Sequence, residues 1–135
     1  MPPYGSPITT ELAKKVAAAA LAEARANNWA MAAAIVDPGG ILVYFEKIDD
    51  TQHASARIAI DKARSAAMFK RPTKTFQDSV EKGGIGLRVM TLRGAIPVDG
   101  GVPLLVDGKI VGGLGISGGT AEQDGQCCKA ATDAM

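Results

Sequence analysis

The dipeptide Asp107-Gly108, with an apolar run on each side, constrains the fold of this chain more than any other feature. Asp-Gly is favoured at the two central positions of a type I′ turn, and that turn joins neighbouring antiparallel strands. The flanking segments, 102–106 and 109–117, contain the Val, Leu and Ile residues that are typical of strands. The sequence therefore predicts a β-hairpin in its C-terminal third.

A second hairpin is predicted near the N-terminus. Residues 32–36 form a short apolar run, and 41–48 is rich in Val, Tyr, Phe and Ile. Between them lies Asp37-Pro38-Gly39-Gly40, in which proline presets φ and glycine can take a positive φ, as a turn requires. Two hairpins favour an antiparallel sheet over a doubly wound parallel one.

Helical periodicity accounts for most of the remaining chain. Alanine and isoleucine recur at spacings of three and four between Ala56 and Ala67, which predicts an apolar stripe on a helix. Thr120 and Gln123 fit a capping box that begins the last helix. We expect an α+β fold with a sheet of about five strands, a loop or short strand through Val89–Thr91, and helices over 10–25, 51–70, 73–81 and from 120 onward.

The composition limits the size and the partners of this fold. The length of 135 residues allows one domain, residues 1–135, and the net charge of +1 gives no electrostatic case for nucleic acid or an anionic membrane. Aromatic residues make up only 4%, so the core buries little area per residue and association with identical copies is expected. Neither a membrane-spanning run nor a signal peptide is recognisable, and we expect a cytoplasmic location.

The last predicted strand contains several glycines. Gly113 and Gly115 share a face, and such a face lets a helix, another subunit or a flat ligand approach the backbone closely. The segment from Gly113 to Gly118 also matches the GxGxxG pattern, but too little chain follows for the second strand and acidic residue of a dinucleotide site. Close backbone packing explains these glycines better.

The candidate reactive groups are few. His53 is the only histidine, and its imidazole could ligate a haem iron or transfer a proton, or it could simply be solvated at a helix start. The adjacent Cys127 and Cys128 favour two reduced thiols over a disulfide or a zinc site.

Four charged residues offer a second kind of chemistry. Lys62 and Arg64 on the central helix could bind a carboxylate, and Glu122 with Asp124 could move a proton. Together they would suit an enzyme that acts on a small organic acid. Solvation of the basic pair and the N-terminal helix dipole for the acidic pair explain the same residues without any chemistry.

Four ordered segments resemble the GlcG/HbpS-like family of haem-binding or haem-degrading proteins, which is related to the C-terminal domain of PduO adenosyltransferases. They are Ala34–Gly40, Ala59–Ala63 with Ala66-Ala67, Gly100–Leu104 and Val111–Asp124. The resemblance covers nearly the whole chain. It implies an antiparallel, profilin-like domain that assembles into dimers or octamers and binds haem.

The residues allow a haem-binding hypothesis, in which an oligomer holds haem in an apolar groove between subunits. His53 would ligate the iron, and Lys62 or Arg64 would pair with a propionate. The walls would come from Met68, Phe69, Gly113 and Gly115. The segment that matches the family also offers Thr120, but its hydroxyl is a poor iron ligand and already has a capping role. The enzyme acting on a small organic acid, with its site at a subunit interface, remains the alternative.

Overall fold

The computed structural model describes residues 1–135 and contains four strands, four α-helices and one 3₁₀ segment. In chain order these are α1 (Thr10–Ala26), β1 (Ala32–Val36), β2 (Leu42–Lys47), α2 (Ala54–Phe69), α3 (Thr73–Lys82), the 3₁₀ segment (Gly84–Thr91), β3 (Gly101–Val106), β4 (Lys109–Ser117) and α4 (Ala121–Asp133). None of the helices combines the length and the apolar character needed to cross a membrane.

The strands form one antiparallel sheet in the order β2-β1-β4-β3. Both predicted hairpins are confirmed, since β1 pairs with β2 and β3 pairs with β4. At the second turn, Asp107 has φ 52° and Gly108 has φ 74°. Two consecutive positive φ values are what a type I′ turn requires, so the dipeptide sets the register of this hairpin.

The sheet has four strands, which is close to the expected number of about five. The segment expected as a loop or short strand through Val89–Thr91 is the end of the 3₁₀ segment. It packs against α3 and not beside either edge strand, and Gly86 allows this because a methyl group at that position would collide with the Ser79 carbonyl of α3. Without a neighbouring strand to supply hydrogen bonds, an extended conformation has nothing to pair with.

Helices cover both faces of the sheet and produce three layers. On one face α1 and α4 pack over the larger core, to which β4 contributes Leu114 and Ile116. On the other face α2 packs over β1 through an alanine stripe consisting of Ala59, Ala63 and Ala67. Because both faces are covered, every residue of β1 is buried.

Of the three partners expected for the glycine face, the structure places a helix there. A methyl group on Gly113 would collide with the Ala63 carbonyl of α2, and one on Gly115 would collide with that of Ala59. The missing side chains therefore bring β4 against α2. Neither glycine lines an open groove, so neither remains in the haem site developed below.

Candidate functional site

The outward face of α2 carries a row of long side chains. Asp61, Arg64 and Met68 follow one another at spacings of three and four, so they lie on the same side of the helix. All three are exposed. The alanines that hold α2 on the sheet lie on the opposite side.

A loop after the 3₁₀ segment forms the second wall beside this row. The buried Ser65 hydroxyl of α2 accepts a hydrogen bond from the backbone N–H of Ile96, at 3.1 Å. This bond holds the loop against the helix. Between loop and helix lies an open cavity of about 490 Å³, lined by Asp61, Arg64, Met68, Phe69, Arg93, Gly94 and Ile96. We call it the α2 cavity.

The apolar residues of the α2 cavity are fixed by contacts on their far sides. Phe69 packs edge-to-face on Phe76 of α3, with ring centroids 5.2 Å apart. Met68 extends toward the β1–β2 turn, where its sulfur would be 3.1 Å from a methyl group built on Gly40. Gly40 has φ +82°, a conformation that glycine adopts without strain. A glycine at this turn thus leaves room for the thioether.

The charged residues make the rim of the α2 cavity positive. Arg64 and Arg93 supply two guanidinium groups, and Asp61 supplies one carboxylate. None of the three takes part in the ion pairs of the structure. Guanidinium groups bind carboxylates and phosphates through parallel hydrogen bonds. The arrangement therefore suits a ligand with an apolar body and at least one carboxylate.

The Lys62 side chain points away from the α2 cavity. Residues two positions apart, such as 62 and 64, lie on opposite sides of a helix. The Lys62 ammonium donates to Asp124 Oδ2 at 2.9 Å and to the Ile116 carbonyl at 3.0 Å. Asp124 Oδ1 in turn accepts from the Gly119 N–H at 3.0 Å. Burial raises the pKa of Asp124, and the Lys62 ammonium partly offsets that rise. The pair ties α2 to β4 and α4.

The predicted cluster of Lys62, Arg64, Glu122 and Asp124 is therefore not formed. Lys62 and Asp124 are buried and bonded to each other, whereas Arg64 and Glu122 are exposed. A buried lysine whose carboxylate partner comes from the same chain has no access to a ligand carboxylate. This removes Lys62 both as a propionate partner and as a substrate-binding group.

The capping role predicted for Thr120 is confirmed. Its hydroxyl accepts from the Gln123 N–H at 3.1 Å, and the Gln123 side chain accepts from the Thr120 N–H at 3.0 Å. Thr120 does not line the α2 cavity.

His53 lies immediately before α2, is exposed, and makes no capping hydrogen bond with its side chain. Fifteen residues of helix separate it from Met68, which corresponds to roughly 22 Å along the axis. The structure thus brings together Arg64, Met68 and Phe69 from the predicted haem residues, and leaves His53 at the far end of the same helix.

Four residues of the α2 cavity were not anticipated from the sequence: Asp61, Arg93, Gly94 and Ile96. The signal for Asp61 was present, because it precedes Arg64 and Met68 at helical spacing. The other three lie in a loop without periodicity, which the hydrogen bond from Ile96 to Ser65 holds against the helix.

The thiols and the acidic residues form no further reactive site. Burial raises the pKa of Cys127 to about 12 and that of Cys128 well above its usual range. No group of three or more His, Cys, Asp or Glu side chains is placed to hold a metal ion. The α2 cavity is consequently where the chain can best accept a ligand.

These features define a class of protein: a small three-layer α+β domain with an arginine-rimmed apolar cavity on its outer helix. The family model for haem degrading protein HbpS-like matches residues 8–133, so the chain belongs to this family. It is 38% identical over 110 residues to protein GlcG of Escherichia coli, covering 82% of this chain and 81% of GlcG.

Solved structures agree with the fold. The crystal structure of a PduOC–haem complex has a TM-score of 0.85 at 29% identity, covering 96% of this chain and 95% of that one. A double mutant of HbpS from Streptomyces reticuli has a TM-score of 0.87 at 24% identity, covering 97% of this chain and 88% of that one. The predicted relationship to the GlcG/HbpS-like family is thereby confirmed.

Proposed function

We propose that this protein binds haem, and that the haem lies in the α2 cavity. The observation that carries the proposal is an apolar cavity with two guanidinium groups at its rim, neither of which is paired within the chain. Membership of the HbpS-like family and similarity to the PduOC–haem complex support the choice of ligand.

The chemistry of haem matches the chemistry of the cavity. Its macrocycle is flat and apolar, and removing that surface from water against Met68, Phe69 and Ile96 would supply most of the binding free energy. Its two propionates would pair with Arg64 and Arg93. The cavity volume of about 490 Å³ lies within the ordinary range for small-molecule sites. Bound haem would supply a redox-active iron at this surface.

A Soret titration of purified protein tests the proposal. The unaltered protein is expected to give a saturable shift near one haem per chain. Arg64→Gln and Arg93→Gln should each weaken binding about fivefold, because an exposed ion pair contributes roughly 1 kcal/mol. Arg57→Gln is the matched control, since Arg57 is an exposed arginine of the same helix outside the cavity.

Two results would contradict the proposal. The first is the absence of a saturable shift in the unaltered protein. The second is an equal loss of affinity in the Arg57 control and in the two cavity variants, which would make the guanidinium effects nonspecific. His53→Ala belongs in the same series: an unchanged spectrum removes His53 as an iron ligand.

The alternative, an enzyme acting on a small organic acid, retains less support. It depended on Lys62 and Glu122 as partners of Arg64, and these groups point to different parts of the molecule. Of the four charged residues named for this alternative, only Arg64 lines the α2 cavity, where Arg93 joins it. Competition of a small dicarboxylate with haem would favour this alternative.

We further propose that identical copies associate through the 3₁₀ segment and the loop that follows. Large apolar side chains are exposed there, with Ile85 at 77% and Met90 at 66%, joined by Leu87, Leu92 and Val98. The surface continues into the α2 cavity through Arg93 and Ile96, so a second copy would narrow the opening of the haem site.

Sedimentation at micromolar concentration tests this association. Ile85→Lys should shift the protein toward a smaller species, because a charge would be buried without a partner. A well-folded monomer before any substitution would contradict the association. The octameric state, the profilin-like classification and the cytoplasmic location stay predictions.

A further inference from the structure

We propose that the Met68 thioether is the group of this chain that would ligate the haem iron. The inference rests on haem binding in the α2 cavity and specifies which atom of this chain meets the metal. Two observations support the inference. The cavity contains few atoms that can donate to iron, and the Met68 thioether lies on the helix wall of the cavity, opposite the loop.

The α2 cavity offers few atoms that can coordinate iron. Guanidinium groups are always protonated and have no lone pair to donate, so Arg64 and Arg93 are excluded. The phenyl ring of Phe69 and the aliphatic side chain of Ile96 contain no donor atom. The remaining donors are the Met68 thioether and the Asp61 carboxylate.

Ligand chemistry favours the thioether. Haem iron in proteins is held by side chains such as those of His, Cys, Met and Tyr, and Met68 is the one residue of these types that lines the α2 cavity. Met68 lies one turn beyond Arg64 on the same helix face and next to the apolar Phe69.

The structure also leaves this side chain available. Met68 is 53% exposed, although methionine is usually buried. Its backbone is anchored, because the Tyr4 hydroxyl lies 2.8 Å from the Ala67 carbonyl and 3.2 Å from that of Met68. The sulfur packs beside Gly40 and takes part in no hydrogen bond. An anchored backbone with an exposed side chain and an unbonded thioether is suited to ligation.

The test compares spectra and redox potentials of haem complexes. In the unaltered protein we expect a thioether-to-iron charge-transfer band in the far red and a midpoint potential raised by the sulfur ligand. Met68→Leu should lose the band and lower the potential while it keeps the same haem stoichiometry, because leucine preserves the apolar wall. Met135→Leu is the control, since Met135 is also exposed, at 44%, but does not line the cavity.

A second variant tests the position of the iron independently. Met68→His should form a nitrogen-ligated haem with a shifted Soret band and a lower potential than the unaltered complex. A Met68→His spectrum identical to that of Met68→Leu overturns the inference, because the iron is then out of reach of residue 68.

The outcomes separate the two proposals. If the unaltered protein binds no haem, both fail. If it binds haem and Met68→Leu leaves the band and the potential unchanged, or if the band is absent from the start, haem binding stands and Met68 is not the ligand. Loss of the band in the Met135 control also counts against Met68.

Discussion

Removal of the Lys62 ammonium should be far more costly than removal of a lysine from an ion pair of equal length on the surface. The Lys62–Asp124 and Lys74–Asp78 pairs both have N–O distances of 2.9 Å. Their side chains are 1% and 3% exposed in the first pair, and 52% and 47% exposed in the second. The two pairs therefore differ mainly in burial.

The expected magnitudes follow from this difference. Lys62→Met leaves Asp124 as a buried carboxylate without its cation, and breaking such a pair costs about 3–5 kcal/mol. That loss is a large part of the 5–15 kcal/mol by which domains are usually stable, and it should lower Tm by about 10–15 °C. Lys74→Met should cost less than about 0.5 kcal/mol, because the exposed pair is solvated whether or not it forms.

Urea unfolding followed by circular dichroism measures both costs, and a double variant identifies the cause. Lys62→Met with Asp124→Asn removes both charges while the amide oxygen can still accept from the Gly119 N–H. It should recover at least about 2 kcal/mol relative to Lys62→Met alone. Equal costs for Lys62→Met and Lys74→Met, or no recovery in the double variant, would refute the reasoning.

The pH dependence gives a further check on the same variant. Burial already raises the pKa of Asp124 above its ordinary 3.8, and loss of Lys62 raises it further. Below pH 3.8 the carboxyl is protonated in both the folded and the unfolded chain, so the cost of the unpaired charge vanishes. The cost of Lys62→Met should grow as the pH rises from there through the raised pKa and then remain constant.

Three other results are expected. Gly115→Ala should prevent stable folding, because the added methyl collides with the Ala59 carbonyl. Gly39→Ala is the control and should be tolerated, since its methyl would make only a 3.4 Å contact; thermal melts of the two variants distinguish the outcomes. Cys127 and Cys128 should react with a thiol reagent at pH 8 only after unfolding, because burial raises the pKa of Cys127 to about 12 and that of Cys128 also; rapid labelling of folded protein would contradict this. Thr120→Ala should cost about 1 kcal/mol in urea unfolding through loss of the capping box, and no measurable loss would show that water replaces the cap.

The parts of the fold that depend on local chemistry could be predicted from the sequence. The Asp107-Gly108 turn, the Thr120 cap and the alanine stripe of α2 each involve residues within a few positions of one another. Their conformations follow from intrinsic backbone preferences and from helical periodicity. Such features are read from a short stretch of chain without knowledge of the rest.

The parts of the fold and of the site that depend on contacts between residues far apart in the chain could not be predicted from the sequence. Asp124 is 62 residues from Lys62 along the chain, so a lysine on an alanine-rich helix gave no sign that it was buried and paired. In the same way, Arg93 joins Arg64 only because Ile96 bonds to Ser65, 31 residues away. The family resemblance suggested haem, but these long-range contacts decide which cations remain available to it.

The division of labour between Lys62 and Arg64 links the fold to the proposed function. The Lys62 ammonium faces inward and donates to the Asp124 carboxylate and the Ile116 carbonyl. The Arg64 guanidinium faces the cavity and has no ion-pair partner. Glycines at 113 and 115 allow α2 to lie close enough to β4 for the lysine to reach Asp124. The alanine stripe, the glycine face and the buried pair thus hold α2 rigidly from within, so that its outer row of Asp61, Arg64 and Met68 is preorganised for a ligand.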